Sequence, residues 1–115
     1  MAEEKKVVLA ITREGMGQAD PELQMRLMTN FLRVLATERQ LPSAICLYGD
    51  GVRLAIEGSA ALDGFRALEE MGVPIILCRT CLEYCGLTDF VAVGKIGTMS
   101  EIVGALFEAD SIIGP

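Results

Sequence analysis

The sequence predicts an α/β fold, a three-layer sandwich in which helices cover both faces of a five-stranded, mainly parallel sheet. Short apolar runs rich in Val, Ile and Leu alternate with longer stretches that carry helical periodicity and N-cap residues. The runs are almost continuously apolar, which is typical of parallel strands buried on both faces. A chain of 115 residues can build one core, so we expect a single domain over residues 1–115.

Each predicted strand is a short apolar run bounded by charged, glycine or turn-forming residues. The first is rich in β-branched residues, and the early Pro74 of the third suits the beginning of a strand. The order of strands and helices along the chain favours parallel pairing, because parallel neighbours need a long crossover connection. The five strands are expected at 5–12, 43–49, 73–78, 89–94 and 110–114.

The first two helices are predicted from their cap residues. Asp20 is a good N-cap and Pro21 suits the first helical position, so a helix is expected to run to about Arg39. Ser59 is expected to cap a second helix that runs to about Met71.

The last two helices are predicted from capping boxes, in which a Ser or Thr is followed three residues later by Glu. Thr80 with Glu83 predicts a short helix that ends at Gly86. Thr98 with Glu101 predicts a fourth helix before the last strand.

The composition argues against several classes of function. A net charge of −6 and a pI near 4.6 disfavour nucleic-acid binding, which depends on basic residues. No apolar run approaches the ~20 residues that span a bilayer, and the N-terminal MAEEKKVVLAIT lacks a signal-peptide pattern. We therefore expect a cytoplasmic protein without membrane contact, whose thiols stay reduced. Because 51% of the residues are hydrophobic, more than so short a chain can bury, we also expect a homo-oligomer.

The strongest local feature is CRTCLEYCGL, which holds three of the four cysteines at the end of the third predicted strand. Functional groups gather at the carboxyl ends of parallel strands. The chain has no histidine, so a nucleophile here must be activated without imidazole. We expect Cys78 to end the strand at the open sheet edge and Cys81 to begin the next helix, where backbone amides of 80–83 and the charge of Arg79 would lower a thiol pKa. Cys85 lies one helical turn beyond Cys81.

Four interpretations of these thiols remain open. A zinc site usually needs four ligands, often as two Cys-x-x-Cys pairs, whereas one such pair is present. A thioredoxin-like redox pair fits the spacing of Cys78 and Cys81, and a persulfide-carrying thiolate fits the same position. The cysteines could also be small apolar side chains, which is what we expect of Cys46 in mid-strand. We predict no metal and, because Gly15-Met16-Gly17 lacks the third glycine of a dinucleotide fingerprint, no cofactor.

A second segment is expected to face the thiols. GDGVRLAIEGS, residues 49–59, leaves the end of the second strand beside them if those strands pair. We therefore name Gly51, Gly58 and Ser59 as binding residues on the opposite wall, together with Arg79 and Thr80 on the thiol side.

Four stretches of the sequence resemble the DsrE/TusD-like sulfur-relay family, and within it the C-terminal domain of YedF-type "sulfurtransferase-like, selenium metabolism" proteins. The resemblance covers nearly the whole chain. It rests on GMGQADPELQMRLMTNFL, GVRLAIEGSAALDGFRALEEMGV, CRTCLEYCGL and VGKIGTMSEIVGALFEADSII.

The resemblance implies a DsrE-like fold, trimers or hexamers, and a persulfide on the cysteine that follows the third strand. In the family this cysteine stands eight residues before a glycine, as Cys78 does before Gly86, so Cys78 is expected to accept sulfur. Cys81 would then attack the persulfide and leave a disulfide, and Cys85 is an accessory thiol of open role. The resemblance also implies donor and acceptor proteins such as a TusA-like carrier. The alternative function is a non-catalytic scaffold or a small-ligand binding module.

Overall fold

The computed structural model describes residues 5–115 and contains one five-stranded sheet. All four strand pairings are parallel, and the strand order is β4-β3-β2-β1-β5. The predicted α/β class and parallel sheet are therefore confirmed. The strands are β1 (Val7–Ile11), β2 (Ala44–Leu47), β3 (Ile75–Cys78), β4 (Lys95–Gly97) and β5 (Ser111–Ile113).

Helices occupy the connections between the strands. Residues 5–115 contain two 3-10 helices besides the α-helices, and the first of them follows β2. The α-helices are α1 (Pro21–Thr37), α2 (Leu62–Glu70), α3 (Arg79–Cys85) and α4 (Met99–Glu108), and the 3-10 helices are Gly49–Ala55 and Thr88–Phe90. None of the helices in residues 5–115 is long and apolar enough to cross a membrane.

The chain order places helices on both faces of the sheet. From β1 to β4 each step moves to the next strand in one direction, and the β4–β5 connection crosses back over the sheet. With right-handed crossovers, this puts α1 and α2 on one face and α4 on the other. The cavities agree with this arrangement, because Leu35 of α1 lines one with Leu9, whereas Ala105 of α4 lines another with Val8.

The core lies between these layers and is apolar, with no buried polar or charged residue among residues 5–115. Strands β2 and β3 are buried along their whole length, as the almost continuous apolar runs predicted. Phe65 of α2 and Leu32 of α1 are fully buried over one face, and Ile102 of α4 is buried over the other. Burial of each such side chain contributes roughly 1.5–3 kcal/mol to the free energy of folding.

Two of the predicted caps are confirmed. The Asp20 carboxylate accepts a hydrogen bond from the Leu23 amide at 3.1 Å, at the start of α1. Thr98 and Glu101 form the predicted capping box at the start of α4. Gly86 ends α3 in the left-handed conformation (φ 68°), as expected.

The cap predicted for α2 is wrong. The helix begins at Leu62 with Ala61 at the N-cap and without a side-chain cap. The Ser59 hydroxyl instead accepts a hydrogen bond from the Ala61 amide at 3.1 Å, in the turn before the helix. The side chain therefore stabilises a local turn rather than the first turn of α2.

The fourth strand is also misplaced by the sequence prediction. Residues 88–90 form a 3-10 helix, and the strand lies at 95–97, after Gly94 with φ 79°. The apolar run 89–94 does make strand-like hydrogen bonds, but to the segment after the first 3-10 helix. Val91 forms an antiparallel bridge with Ile56, and the Glu57 amide donates to the Phe90 carbonyl at 2.8 Å.

Candidate thiol site

Cys78 is the last residue of β3, as predicted, but its side chain is not open to solvent. It pairs in register with Gly97 of β4, and β3 lies between β2 and β4. The residue is only 1% exposed. The expectation that this thiol opens to solvent at the carboxyl edge of the sheet is therefore wrong, because Cys78 belongs to the buried core.

The helix after β3 begins earlier than the sequence predicted. Arg79 is its first residue and Cys78 is its N-cap, so Thr80 lies inside the helix and does not cap it. Cys81 is consequently the third helical residue rather than the first. No side-chain hydrogen bond joins the Cys78 sulfur to the amides of the first turn. The expected stabilisation of this sulfur by amides 80–83 is thus wrong.

The amide that does reach a thiol comes from the facing segment. The Gly49 N–H donates to the Cys81 sulfur, with 3.2 Å between nitrogen and Sγ. Gly49 begins the first 3-10 helix at the end of β2 and has φ 59°, a conformation that favours glycine. The sequence placed Gly49 at the end of the second strand and did not predict this hydrogen bond. The available signal was a glycine at the carboxyl end of the strand that pairs with β3.

The environment of Cys81 raises its pKa. Partial burial is the main cause, and a hydrogen bond with the Cys78 thiol adds to it. The Gly49 N–H acts in the opposite direction, and the charges of Cys78 and Cys85 raise the pKa further. The predicted lowering of the pKa is therefore wrong for Cys81. Cys78 and Cys85 are thus near enough to Cys81 to act on its pKa.

The remaining two cysteines differ in exposure. Cys85, the last residue of α3, is partly exposed, and its charge acts on Cys81. Cys46 is 0% exposed in mid-strand of β2, and burial raises its pKa. All four cysteines are free. Cys46 is thus a core side chain, as the sequence indicated.

Arg79 lies at the corner where β3, β4 and α4 meet. Its charge contributes to lowering the pKa of Glu101, although the Thr98 amide and Lys95 contribute more. The Glu101 carboxylate is 3.4 Å from the Lys95 ammonium. Arg79 therefore belongs to a surface charge cluster beside the site, and its exposed side chain is available to anions there.

Segment 49–59 was predicted to face the thiols, but only its first residue, Gly49, makes a hydrogen bond to one of them. Gly51 is buried behind Gly49, where a Cβ atom would overlap the Ile11 carbonyl oxygen, so Gly51 lets the 3-10 helix pack on the end of β1. Gly58 (φ 87°) faces open space, and Ser59 stabilises the turn before α2. The predicted binding residues Gly51, Gly58 and Ser59 thus have other surroundings, and Gly49 is the residue of this segment that binds a thiol.

No three His, Cys, Asp or Glu side chains within residues 5–115 are grouped as a metal ion would require. The chemistry open to Cys78 and Cys81 is nucleophilic attack on sulfur and exchange between the two thiols.

A model of the DsrE/DsrF-like family matches residues 5–115. The chain belongs to this family. Two solved structures share the DsrE-like fold over 97% of this chain and 100% of their own length. The YchN protein from E. coli has a TM-score of 0.72 at 19% identity, and MTH1491 from Methanobacterium thermoautotrophicum, a protein of unknown function, has 0.70 at 21%. No curated protein matches the sequence.

Proposed function

We propose that this DsrE/DsrF-like protein is a sulfur carrier of the sulfurtransferase kind, which holds a persulfide on Cys78 at the end of β3. The observation that carries the proposal is the placement of Cys78 and Cys81 in the first turn of α3, with the Gly49 N–H 3.2 Å from the Cys81 sulfur. A thiol can exchange sulfur with a neighbouring thiol, and an N–H donor stabilises the thiolate that attacks or leaves.

In this function a donor persulfide gives its outer sulfur to the site, and the site passes it to an acceptor thiol. Cys78 holds the sulfur, buried from water and from small reductants. Cys81 is the neighbouring nucleophile. Its attack on the inner sulfur of Cys78–S–SH would expel hydrosulfide and leave a Cys78–Cys81 disulfide, which a cellular dithiol would reduce. Neither step requires Cys85, whose role as an accessory thiol stays open.

The finer assignments rest on the sequence resemblance to YedF-type proteins. They are selenium as an alternative cargo and a TusA-like carrier as partner. A location in the cytoplasm is proposed from the apolar and charge pattern of the sequence instead. The trimer or hexamer also rests on that resemblance, and an exposed apolar stripe on α4 favours contact between subunits without fixing their number. Met99 is 52% exposed, Val103 44% and Phe107 87%, at a spacing of four residues along one side of the helix.

The alternative is a scaffold or small-ligand module with inert cysteines. The observations that favour it are the 1% exposure of Cys78 and the raised pKa of Cys81, since buried protonated thiols react slowly. The two functions differ in one measurable property, which is whether the folded protein takes up sulfane sulfur.

The test is incubation of the reduced protein with glutathione persulfide, followed by intact-protein mass spectrometry. The carrier function predicts an added mass of one sulfur atom that a reductant removes, and loss of the stable adduct in Cys78→Ser. A parallel incubation with a selenium donor shows whether selenium is also accepted. If folded wild-type protein stays unmodified while a free thiol peptide is modified, the carrier function is refuted and the scaffold is favoured.

A further inference from the structure

We propose that Cys81, and not Cys78, is the thiol that receives sulfur from the donor, and that it then passes the sulfur inward to Cys78. This inference rests on the proposed carrier function and assigns the order of the two thiols within it. It differs from direct loading of the strand-end cysteine, which the sequence resemblance suggested. Three features of the described structure support it.

The first feature is access. Exchange between a thiolate and a persulfide requires the attacking sulfur to reach the outer sulfur of the donor, so the rate depends on exposure as well as on nucleophilicity. Cys78 is 1% exposed, whereas Cys81 is partly exposed on α3. A donor sulfur carried on a peptide or protein can therefore meet Cys81 in the described conformation, but not Cys78.

The second feature is the proximity of the two thiols. Cys78 is the N-cap residue of α3 and Cys81 is its third helical residue, and Cys78 lies near enough to raise the pKa of Cys81. A sulfur bound to Cys81 is thus near its second acceptor. Cys85 acts on Cys81 only through its charge, so it is not placed in the same way for this transfer.

The third feature is the Gly49 N–H, which points at the Cys81 sulfur and not at that of Cys78. This donor stabilises negative charge on Cys81 when it attacks and again when it leaves. The other surroundings raise the pKa of Cys81. The thiolate is therefore scarce at neutral pH but intrinsically more nucleophilic, as expected for a thiol of high basicity.

The two steps balance without an oxidant. In the first, the Cys81 thiolate attacks the outer sulfur of a donor persulfide R–S–SH, the donor S–S bond breaks, and R–S⁻ leaves as Cys81–S–SH forms. In the second, the Cys78 sulfur attacks the outer sulfur of Cys81–S–SH. Cys78–S–SH forms, the first S–S bond breaks, and the proton of the Cys78 thiol passes to the Cys81 sulfur.

The test follows the loading rate with glutathione persulfide in wild type, Cys81→Ser, Cys78→Ser and the matched control Cys85→Ser. We expect Cys81→Ser to load slower than wild type by about tenfold or more, and Cys85→Ser to stay within about twofold. Cys78→Ser should load as fast as wild type in the first phase, with its sulfur on Cys81 and quickly lost to added thiol. Circular dichroism confirms that each variant is folded.

A second measurement uses wild-type protein and does not depend on variants. Samples quenched by alkylation at short times and mapped by peptide mass spectrometry should carry the persulfide first on Cys81 and later on Cys78. If wild type loads but the label appears first on Cys78, and Cys81→Ser loads at the wild-type rate, the order of the thiols is overturned and the carrier function stands. If wild type does not load, the carrier function itself fails.

Discussion

Replacing Gly51 by alanine tests how the first 3-10 helix (Gly49–Ala55) is held against the sheet. The new Cβ would overlap the Ile11 carbonyl oxygen and lie 2.8 Å from the Ile11 carbonyl carbon and 3.4 Å from the Thr12 Cα atom. All of these are backbone atoms, so no side-chain rotation relieves the overlap. The same Ile11 oxygen accepts a hydrogen bond from the Tyr48 amide at 3.2 Å.

The expected loss of folding free energy follows from the backbone overlap and from the Tyr48 hydrogen bond. Displacing packed backbone by a methyl group costs about 2 kcal/mol and loss of the Tyr48 hydrogen bond about 1 kcal/mol, so we expect Gly51→Ala to lose about 3 kcal/mol. At about 4 °C per kcal/mol for a domain of this size, the Tm should fall by about 12 °C. Because Gly49 begins the same 3-10 helix, its N–H should also move away from Cys81 and slow the reactions of that thiol.

The assay is urea unfolding followed by circular dichroism, together with the rate of Cys81 alkylation. The matched control is Gly104→Ala in α4, where a Cβ meets no atom within 4 Å. Alanine is the better helix former, so this variant should gain up to about 1 kcal/mol. A loss below about 1 kcal/mol in Gly51→Ala would refute the packing argument.

Three further predictions concern single groups. Because the Cys81 pKa is raised, its alkylation rate should still increase above pH ~8.5, and a plateau near neutral pH would contradict the assigned environment. The pKa of Glu101 is lowered in the folded protein, so its stabilising effect is present above the unfolded pKa of about 4.3 and is lost as the pH falls through the folded value. Acid titration of Glu101→Gln should show a smaller loss of stability than wild type over that range. Phe107→Glu should lower the mass measured by light scattering if the α4 stripe lies between subunits, whereas Glu108→Gln on the same helix should leave it unchanged.

The sheet and two of the caps could be predicted from local sequence. Val7–Ile11 and Ile75–Cys78 are apolar on both faces, so only a buried parallel strand suits them. Asp20 and Thr98 cap their helices through side chains within three residues in the sequence. Such features depend on residues that are close in the sequence, and for this reason the local sequence pattern was sufficient to predict them.

The errors occur where distant segments decide the structure. The run 89–94 has strand character, but its hydrogen-bonding partner is the segment after the first 3-10 helix, more than thirty residues away in the chain. Thr80 has the cap pattern, yet β3 continues directly into α3 and leaves Thr80 inside the helix. Cys78 pairs with Gly97 of β4 and belongs to the buried core, which residues from many parts of the chain form. A pattern within one segment carries no information on these contacts.

The donor to Cys81 belongs to the main chain, and this has a consequence for how the site can be regulated. A backbone amide neither ionises in the physiological range nor becomes oxidised, and no replacement of Gly49 other than proline removes its N–H. Its effect changes only when the peptide at Gly49 rotates or shifts relative to α3. The reactivity of this sulfur is therefore tied to the relative position of two connections at one end of the sheet, and a partner that presses on either connection would tune it without touching a thiol.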